Sequence, residues 1–217
     1  MTMRPLFPLL ALALSVGASS PGLQAAAREA APKLISTTGA GARWKDAAEM
    51  KRMAEAGDAE ACLEMGILHE NGGEQPPDYI EARIWYERAA AKGVAVADFR
   101  LGKLVSEGLG GSENQEAAFQ HYLKAAQGGL ALAQYNVGAM LASGRGTRRD
   151  YVEGLAWLIV ATRDAAVDPE GEKQLRGHLS RRPADIAAAE KRAEQLTAML
   201  AERKAKADAQ AAQPARR

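Results

Sequence analysis

The stretch that decides the fold occurs three times, with glycine at both ends and alanine at the same inner positions. It reads Gly57-Asp-Ala-Glu-Ala-Cys-Leu-Glu-Met-Gly66, then Gly93-Val-Ala-Val-Ala-Asp-Phe-Arg-Leu-Gly102, then Gly129-Leu-Ala-Leu-Ala-Gln-Tyr-Asn-Val-Gly138. The first glycines are 93 − 57 = 36 and 129 − 93 = 36 residues apart. A fixed period of this length indicates tandem structural repeats. The sequence therefore divides into repeat 1 at 57–92, repeat 2 at 93–128 and repeat 3 at 129–164.

Each repeat predicts two helices. When places are numbered from 1 at the first glycine to 36, shared apolar or small residues fall at places 5, 9, 12 and 16, which is one helix face. Glycine at place 16 is expected to end the first helix, and Gly93 and Gly129 to end the second helices of repeats 1 and 2. Residues suited to an N-cap precede the second helices: Asp78, Asn114 and Asp150. Because one pair of short helices cannot bury its apolar face, we predict an all-α, right-handed solenoid of stacked pairs.

The flanking segments are predicted to cap the array. Residues 43–56 match the second half of a repeat, so we expect an N-terminal capping helix there. Residues 165–203 are expected to form C-terminal capping helices, the longer one starting at or near Pro183. Residues 204–217 are rich in Ala, Gln and charge, and we expect a frayed or disordered tail.

The N-terminus has the layout of a secretory signal peptide. Arg4 precedes an apolar run over 6–18, and Ala25 and Ala27 satisfy the small-x-small cleavage rule. A membrane anchor is the alternative, but thirteen residues are fewer than the ~20 needed to span a bilayer. We therefore expect cleavage after 1–27, a flexible linker at 28–42, and a bacterial protein that is periplasmic or secreted.

Charge excludes a global attraction to nucleic acid or to an anionic membrane. The chain has 28 Lys+Arg and 27 Asp+Glu, and removing Arg4 leaves 28 − 1 = 27 bases against 27 acids. Any charged function must therefore come from a local patch. The candidates are Arg145, Arg148 and Arg149 and the pair Arg181 and Arg182, which we interpret as solvated faces, although an acidic partner loop stays an alternative.

The repeat pattern resembles the Sel-one-like (Sel1-like) repeat family, whose members are related to tetratricopeptide repeats. The resemblance covers 43–164 and rests on Ala-x-x-Gly-x-x-x-Ala-x-x-x-Met/Leu/Val-Gly, then Gly-x-Gly with Asp or Asn, then Ala/Gly-x-x-Trp and Ala-Ala-x-x-Gly. Residues 179–190 also resemble the closing helix of bacterial members. Repeat 2 departs by placing His121 where the aromatic residue belongs, and repeat 3 by Gly154, Leu158 and Thr162. The resemblance implies a helical adaptor or scaffold, in bacteria often exported.

Catalytic and metal-binding motifs are not visible in the sequence. His69, His121 and His178 lie in different helices without ligand spacing, so we expect no metal site, and no cofactor site is predicted either. The single cysteine, Cys62, shares its place with Asp98 and Gln134, which predicts a partly exposed thiol. The Gly-rich stretches at 108–111 and 144–147 recur at the repeat interval and follow no strand, so we interpret them as turns rather than phosphate loops.

Aromatic residues offer a further set of candidate contacts. Trp85 and Trp157 occupy the same place of two repeats, which favours packing between second helices. Trp44 lies outside the repeats and stays a candidate ligand anchor.

The residues that vary at fixed places predict a binding surface on the first helices. Places 4, 8, 11 and 15 lie at helical spacing and form what we call the first-helix stripe. Related solenoids bind extended partners along a concave row of first helices, so the resemblance makes this stripe the candidate groove. Simple solvent-facing variation is the alternative. The stripe comprises Glu60, Glu64, Ile67 and Asn71, then Val96, Arg100, Lys103 and Glu107, then Leu132, Asn136, Ala139 and Ser143.

These observations predict a non-enzymatic, exported adaptor that binds an envelope or extracellular protein through the stripe. The alternative is a protein that binds or hydrolyses cell-wall fragments or penicillins, as described for cysteine-rich relatives. That branch places a disulfide in each repeat, whereas here only Cys62 exists.

Overall fold

The computed structural model describes residues 43–72, 75–164 and 166–212. The expected signal peptide at 1–27 and the linker at 28–42 lie outside the described residues. All regular structure in the described part is α-helical and contains no strand. The helices in chain order are α1 (Ala47–Glu55), α2 (Ala59–Asn71), α3 (Tyr79–Ala90), α4 (Ala95–Glu107), α5 (Gln115–Gln127), α6 (Ala131–Ser143), α7 (Tyr151–Ala161), α8 (Glu170–His178) and α9 (Pro183–Ala211).

The predicted N-caps are confirmed at the second helix of every repeat. The Asp78 side chain accepts hydrogen bonds from the backbone N–H groups of Ile80 and Glu81. Asn114 and Asp150 each accept one such bond, three residues further along the chain. These side chains satisfy N–H groups that have no partner within the helix, so they fix where α3, α5 and α7 begin.

The glycines between repeats are required by backbone conformation. Gly57, Gly93 and Gly129 have φ of 89°, 84° and 89°, and an added Cβ would meet nothing within 4 Å at any of them. Positive φ, and not lack of space, therefore selects glycine at this turn. The next residue's N–H reaches back to the preceding helix, as from Val94 to the Ala89 carbonyl at 3.2 Å. This turn directs each first helix back against the helix before it.

The glycines at place 10 are required by close packing. A Cβ on Gly66 would lie 2.4 Å from the Tyr86 ring, and one on Gly138 would lie 2.8 Å from the Gly154 carbonyl oxygen. The two helices of a repeat thus pack closely along α2/α3, α4/α5 and α6/α7, and each second helix also packs on the next first helix. The result is the predicted α-solenoid, with three hydrophobic clusters that follow one another along the array.

The C-terminal cap differs from a further repeat. The long helix α9 packs mainly on α7, through Ala189, Ala193 and Leu196, whereas α8 contacts α7 only lightly. The expectation of a disordered tail from residue 204 is wrong as far as Ala211, because α9 continues to that residue. Alanine has the highest helix propensity, and Lys206 pairs with Glu202 one turn earlier at 2.7 Å, which explains the extension. No helix in the described part is both long and apolar enough to cross a membrane.

Candidate functional site

The first-helix stripe runs over α2, α4 and α6, and most of its side chains reach the surface. Glu60, Asn71, Lys103 and Glu107 are exposed, and the other members, with one exception, are half-buried. The exception is Ile67, which is only 7% exposed and packs in the first hydrophobic cluster. Ile67 is therefore a core residue, and the prediction that it contributes to a partner surface is wrong.

A buried ion cluster joins repeats 1 and 2 beneath the stripe. The Glu70 side chain, 8% exposed, accepts hydrogen bonds from the Tyr86 hydroxyl at 2.5 Å and from Arg100 at 2.9 Å. Lys103 Nζ lies 3.7 Å from the other carboxylate oxygen. We call Glu70, Tyr86 and Arg100 the clamp. It connects α2, α3 and α4, so it fixes how repeat 2 sits on repeat 1.

The environment keeps Tyr86 neutral and Arg100 charged. Burial raises the pKa of the Tyr86 phenol far above its usual value, so the hydroxyl always donates. Burial works against the charge of Arg100, but the oxygens of Tyr86 and Glu70 outweigh it and raise the pKa of the guanidinium. Arg100 is thus a fixed cation whose position on the stripe is set by its hydrogen bond to Glu70, a carboxylate that the Tyr86 hydroxyl also holds in place.

The acidic part of the stripe lies on α2. Glu60 pairs with Arg43, which also binds Asp58 at 2.8 Å, so this carboxylate is partly neutralised within the chain. Glu64 is half-buried, and burial raises the pKa of its carboxyl while the nearby Arg100 opposes the shift. The surroundings of Glu64 therefore disfavour its charged form.

The part of the stripe on α6 is uncharged. Leu132, Asn136 and Ala139 are half-buried, and the Ser143 hydroxyl donates to the Ala139 carbonyl at 2.9 Å. Tyr135 lies beside them and packs against Gly171 of α8, where an added Cβ would be 2.7 Å from the phenol oxygen. Along the stripe the surface therefore changes from acidic on α2, to basic on α4, to neutral on α6.

The structure corrects the prediction for Cys62. Its thiol is not partly exposed but 1% exposed, and it donates to the Ala54 carbonyl at 3.3 Å. Gln134, at the same place of repeat 3, donates to the Ala126 carbonyl at 3.3 Å. Place 6 thus faces the last turn of the preceding helix, which explains why polar residues are buried there. Burial raises the pKa of the Cys62 thiol, which disfavours the reactive thiolate.

In repeat 2 the residue at place 6 makes a different contact, which the sequence did not predict. Asp98 is buried and cannot donate as a carboxylate, and its Oδ1 instead lies 3.0 Å from His121 Nδ1. His121 stands where repeats 1 and 3 have tryptophan. Asp98 at place 6 and His121 at place 29 both depart from the repeat pattern, and they contact each other. Comparing the two places together across the repeats would have suggested this pairing.

The tryptophans are structural. Trp85 and Trp157 are buried, in agreement with the prediction of packing. Trp44 is buried as well and belongs to the first hydrophobic cluster, so it is not free to anchor a ligand. The Arg43 guanidinium lies 5.4 Å from the centre of its ring.

Two arginines of the predicted basic clusters form hydrogen bonds within the chain. Arg149 donates to the carbonyl of Ser143 at 3.1 Å and 3.3 Å, and Arg145 donates to Gln115 at 2.7 Å. His178, at the end of α8, packs on Tyr151 with ring centres 4.9 Å apart. No group of three or more His, Cys, Asp or Glu side chains suited to a metal ion occurs among the residues that the structure describes.

Comparison with known proteins identifies the repeats. The Sel1 repeat model matches residues 59–94, 95–130 and 131–163, which reproduces the 36-residue period with a start two places later. No curated protein sequence matches the chain.

Two solved structures share the fold. A protective antigen of uropathogenic Escherichia coli strains, which displays an SLR fold, is 28% identical, with a TM-score of 0.62 over 82% of this chain and 38% of that one. A Sel1 repeat protein from Oxalobacter formigenes is 29% identical, with a TM-score of 0.51 over 54% of this chain and 48% of that one. This chain spans less than half the length of either protein. Three matched repeats on a helical solenoid show that the chain belongs to the Sel1 repeat family.

Proposed function

We propose that this chain is an exported, non-enzymatic adaptor that binds a protein of the cell envelope or the extracellular space along the first-helix stripe. Proteins built from Sel1 repeats are generally interaction scaffolds without catalytic activity, which supports the class of function. The layout of residues 1–27 supports export.

The observation that carries the proposal is the clamp beneath the stripe. Arg100 donates to Glu70, which also accepts from Tyr86, so a partner that binds Arg100 meets a side chain whose position is already fixed. A preorganised contact costs less conformational entropy on binding than a mobile surface arginine does. The clamp therefore gives the stripe a rigid polar centre between its acidic and neutral parts.

The order of charges on the stripe suggests the chemistry of the partner. Glu64 on α2, Lys103 on α4 and Asn136 on α6 lie on successive first helices. An extended segment with a base, then an acid, then an uncharged residue would match them in turn. Electrostatic matching of this kind favours one partner orientation over its reverse.

Site-specific photo-crosslinking tests the proposal. A photoreactive amino acid is placed at Asn136, or at Gln120 on the outer face of α5 as the matched control, in cells of a bacterium that exports the chain. We expect one protein to crosslink strongly at Asn136 and not at Gln120, and Lys103→Glu to weaken its binding at least tenfold. Equal crosslinking at both positions would refute the stripe as the binding surface.

Export is tested separately by the mass of the purified chain. We expect a mature protein that begins at or near residue 28 and is recovered outside the cytoplasm. A chain that retains residues 1–27 would contradict cleavage while leaving the stripe experiment valid.

A further inference from the structure

Repeats 1 and 3 share a sequence at the start of their second helices that repeat 2 lacks. Repeat 1 has Asp78-Tyr-Ile-Glu81 and repeat 3 has Asp150-Tyr-Val-Glu153, whereas repeat 2 has Asn114-Gln-Glu-Ala117. In both shared cases the pattern is an N-cap, an aromatic residue, a β-branched apolar residue and a glutamate. The difference suggests that the second helices of repeats 1 and 3 meet similar surroundings.

In repeat 3 these surroundings are helix α9 of the same chain. Ala156 and Val160 of α7 are buried in one cluster with Ala193 and Leu196 of α9. Arg192 of α9 holds Glu153 with two hydrogen bonds, of 2.7 Å and 3.2 Å. The outer face of α7 is thus a helix-docking face that combines small apolar side chains with one arginine–glutamate pair.

Within the described part of the chain, no helix covers the corresponding face of α3. Ile80 and Ile84, at the places of Val152 and Ala156, are 63% and 38% exposed, and Glu81 stands where Glu153 does. Ile80 also lines an open cavity of about 690 Å³ together with Leu68 and Pro77. These two isoleucines and Leu68 are the large apolar side chains that are exposed in the described part of the chain.

Repeat 2 shows that the solenoid itself does not require apolar residues at these places. Glu116 and Gln120 occupy them on α5 and are exposed. Ile80 and Ile84 are only partly buried, so they stabilise the folded chain less than covered isoleucines would, and a partner that covers them explains their apolar character.

One difference from α7 defines the partner further. Val160 is buried in one hydrophobic cluster with Leu196 of α9, but its counterpart on α3 is Arg88, whose guanidinium lies 4.4 Å from the centre of the Trp85 ring. A helix on α3 would therefore meet a cation where α9 presents Leu196 to α7. An acidic residue at that position of the partner would match it.

We propose that the outer face of α3, formed by Ile80, Glu81, Ile84 and Arg88, binds an amphipathic helix of another protein. The contact face of that helix resembles the inner face of α9: small apolar residues about one turn apart, an arginine facing Glu81, and an acid facing Arg88. This surface is separate from the first-helix stripe, so a partner at the stripe and a helix at α3 can bind together.

A peptide derived from α9 is the probe for this surface. It comprises residues 183–200 with Leu196→Glu, carries a fluorophore, and is titrated against the full chain by anisotropy. Leu196 is 1% exposed at its own site, so the substitution disfavours exchange of the peptide with α9 on α7. We expect saturable binding that Ile80→Ser/Ile84→Ser weakens at least tenfold.

Charge reversal decides whether the peptide lies on α3 as proposed. Glu81→Arg in the chain, or Arg192→Glu in the peptide, should each weaken binding, and the two together should restore most of it. Glu116→Ser/Gln120→Ser, at the same places of repeat 2, is the matched control and should leave binding unchanged. Absence of saturable binding, insensitivity to the isoleucine substitutions, or no restoration by the paired reversal would each overturn the proposal. Lys103→Glu should have no effect, which separates failure here from failure of the stripe.

Discussion

The contact between the two helices of repeat 1 and the same contact in repeat 3 are built from opposite chemistry. At places 14 and 30, repeat 1 has Glu70 and Tyr86, which bond to each other, and Glu70 also bonds to Arg100 of the next repeat. Repeat 3 has Ala142 and Leu158 there, both buried in an apolar cluster. One backbone arrangement thus accepts a buried ion cluster at one end of the array and a hydrocarbon core at the other.

Two glycines explain how α6 and α7 pack together without a polar side-chain contact at places 14 and 30. A Cβ on Gly154 would lie 2.9 Å from the Gly138 carbonyl oxygen and 3.0 Å from the Ala142 backbone nitrogen. The helices α6 and α7 therefore approach more closely than a larger residue at place 26 would allow, and no space remains for a long polar side chain. At these two places close packing therefore takes the role that the hydrogen bonds of Glu70 and Tyr86 have in repeat 1.

The comparison also concerns the contacts through which neighbouring repeats stack. A buried ion pair is weak evidence for stability, because desolvation offsets much of its attraction. In repeat 1 the clamp bonds to the next repeat and so contributes to how the two stack. In repeat 3 the counterparts of the clamp, Ala142 and Leu158, are instead buried in one apolar cluster with Leu175 of α8 and Ala189 of α9.

The largest expected effect comes from moving the carboxylate of repeat 1 into repeat 3. Ala142→Glu would bury a charge with no cation beside it and would overfill the space next to Gly154, so we expect a loss of at least about 4 kcal/mol. Urea denaturation followed by circular dichroism measures it. Ala139→Glu, on the half-buried stripe of the same helix, is the matched control and should change stability by under about 1 kcal/mol. Similar losses from both substitutions would show that the two places do not differ as described.

The second effect comes from breaking the clamp. Glu70→Ala leaves Arg100 and the Tyr86 hydroxyl without their partner, and we expect a loss of about 3 kcal/mol, at the lower end for buried pairs because Arg100 reaches solvent.

Copying the chemistry of the later repeats should reverse much of this loss. The triple variant Glu70→Ala/Tyr86→Leu/Arg100→Asn removes the charges together with their unmet hydrogen-bonding needs, so we expect it to recover at least half of the lost stability in the same urea experiment. If the triple variant instead loses as much stability as the three single substitutions added together, then the hydrogen bonds of the clamp stabilise the interface more than the substituted Ala, Leu and Asn side chains do.

A third, smaller effect compares two tyrosines at the same place. Tyr86→Phe removes a hydrogen bond to a buried carboxylate and should cost about 2 kcal/mol. Tyr122 interacts with the neutral Ser106, and burial raises its pKa to about 12, so Tyr122→Phe should cost about 1 kcal/mol. Equal losses in urea denaturation would mean that the charge of Glu70 adds nothing to the bond.

Much of the fold could be predicted because three repeats show the same residue pattern, so each repeat is a separate example of one structure. The capping residues Asp78 and Asp150 and the turn glycine Gly93 act through local backbone conformation, which sequence patterns express directly. The family and the solenoid were therefore predictable. The helical extension beyond residue 203 was missed because composition alone does not separate an alanine-rich helix from a disordered tail.

The candidate surface was less predictable because exposure depends on what lies beyond the helix. Ile67 has the spacing of a stripe residue, but its side chain packs into the core, and Cys62 is buried by the preceding helix. Likewise Ile80 and Ile84 match the helical pattern of the covered α7, and only the structure shows that no described residue covers them. Such differences arise from tertiary packing. The spacing of residues along one helix does not show which neighbouring helices cover a side chain.

The smallest effect concerns the acidic neighbour of the clamp. Burial raises the pKa of Glu64 above its usual 4.5, so at neutral pH its ionised form is less favourable in the folded chain than in the unfolded chain. Glu64→Gln should therefore stabilise the protein at pH 7, by under about 1 kcal/mol because the carboxyl is partly solvated. The gain should shrink as the pH falls through the raised pKa and vanish below 4.5, where both states of Glu64 are protonated. Urea titrations of the two proteins at several pH values measure the difference. A gain independent of pH would point to a packing effect of the amide, and a loss at pH 7 would mean that attraction to Arg100 outweighs burial and that the charges around the clamp stabilise the fold.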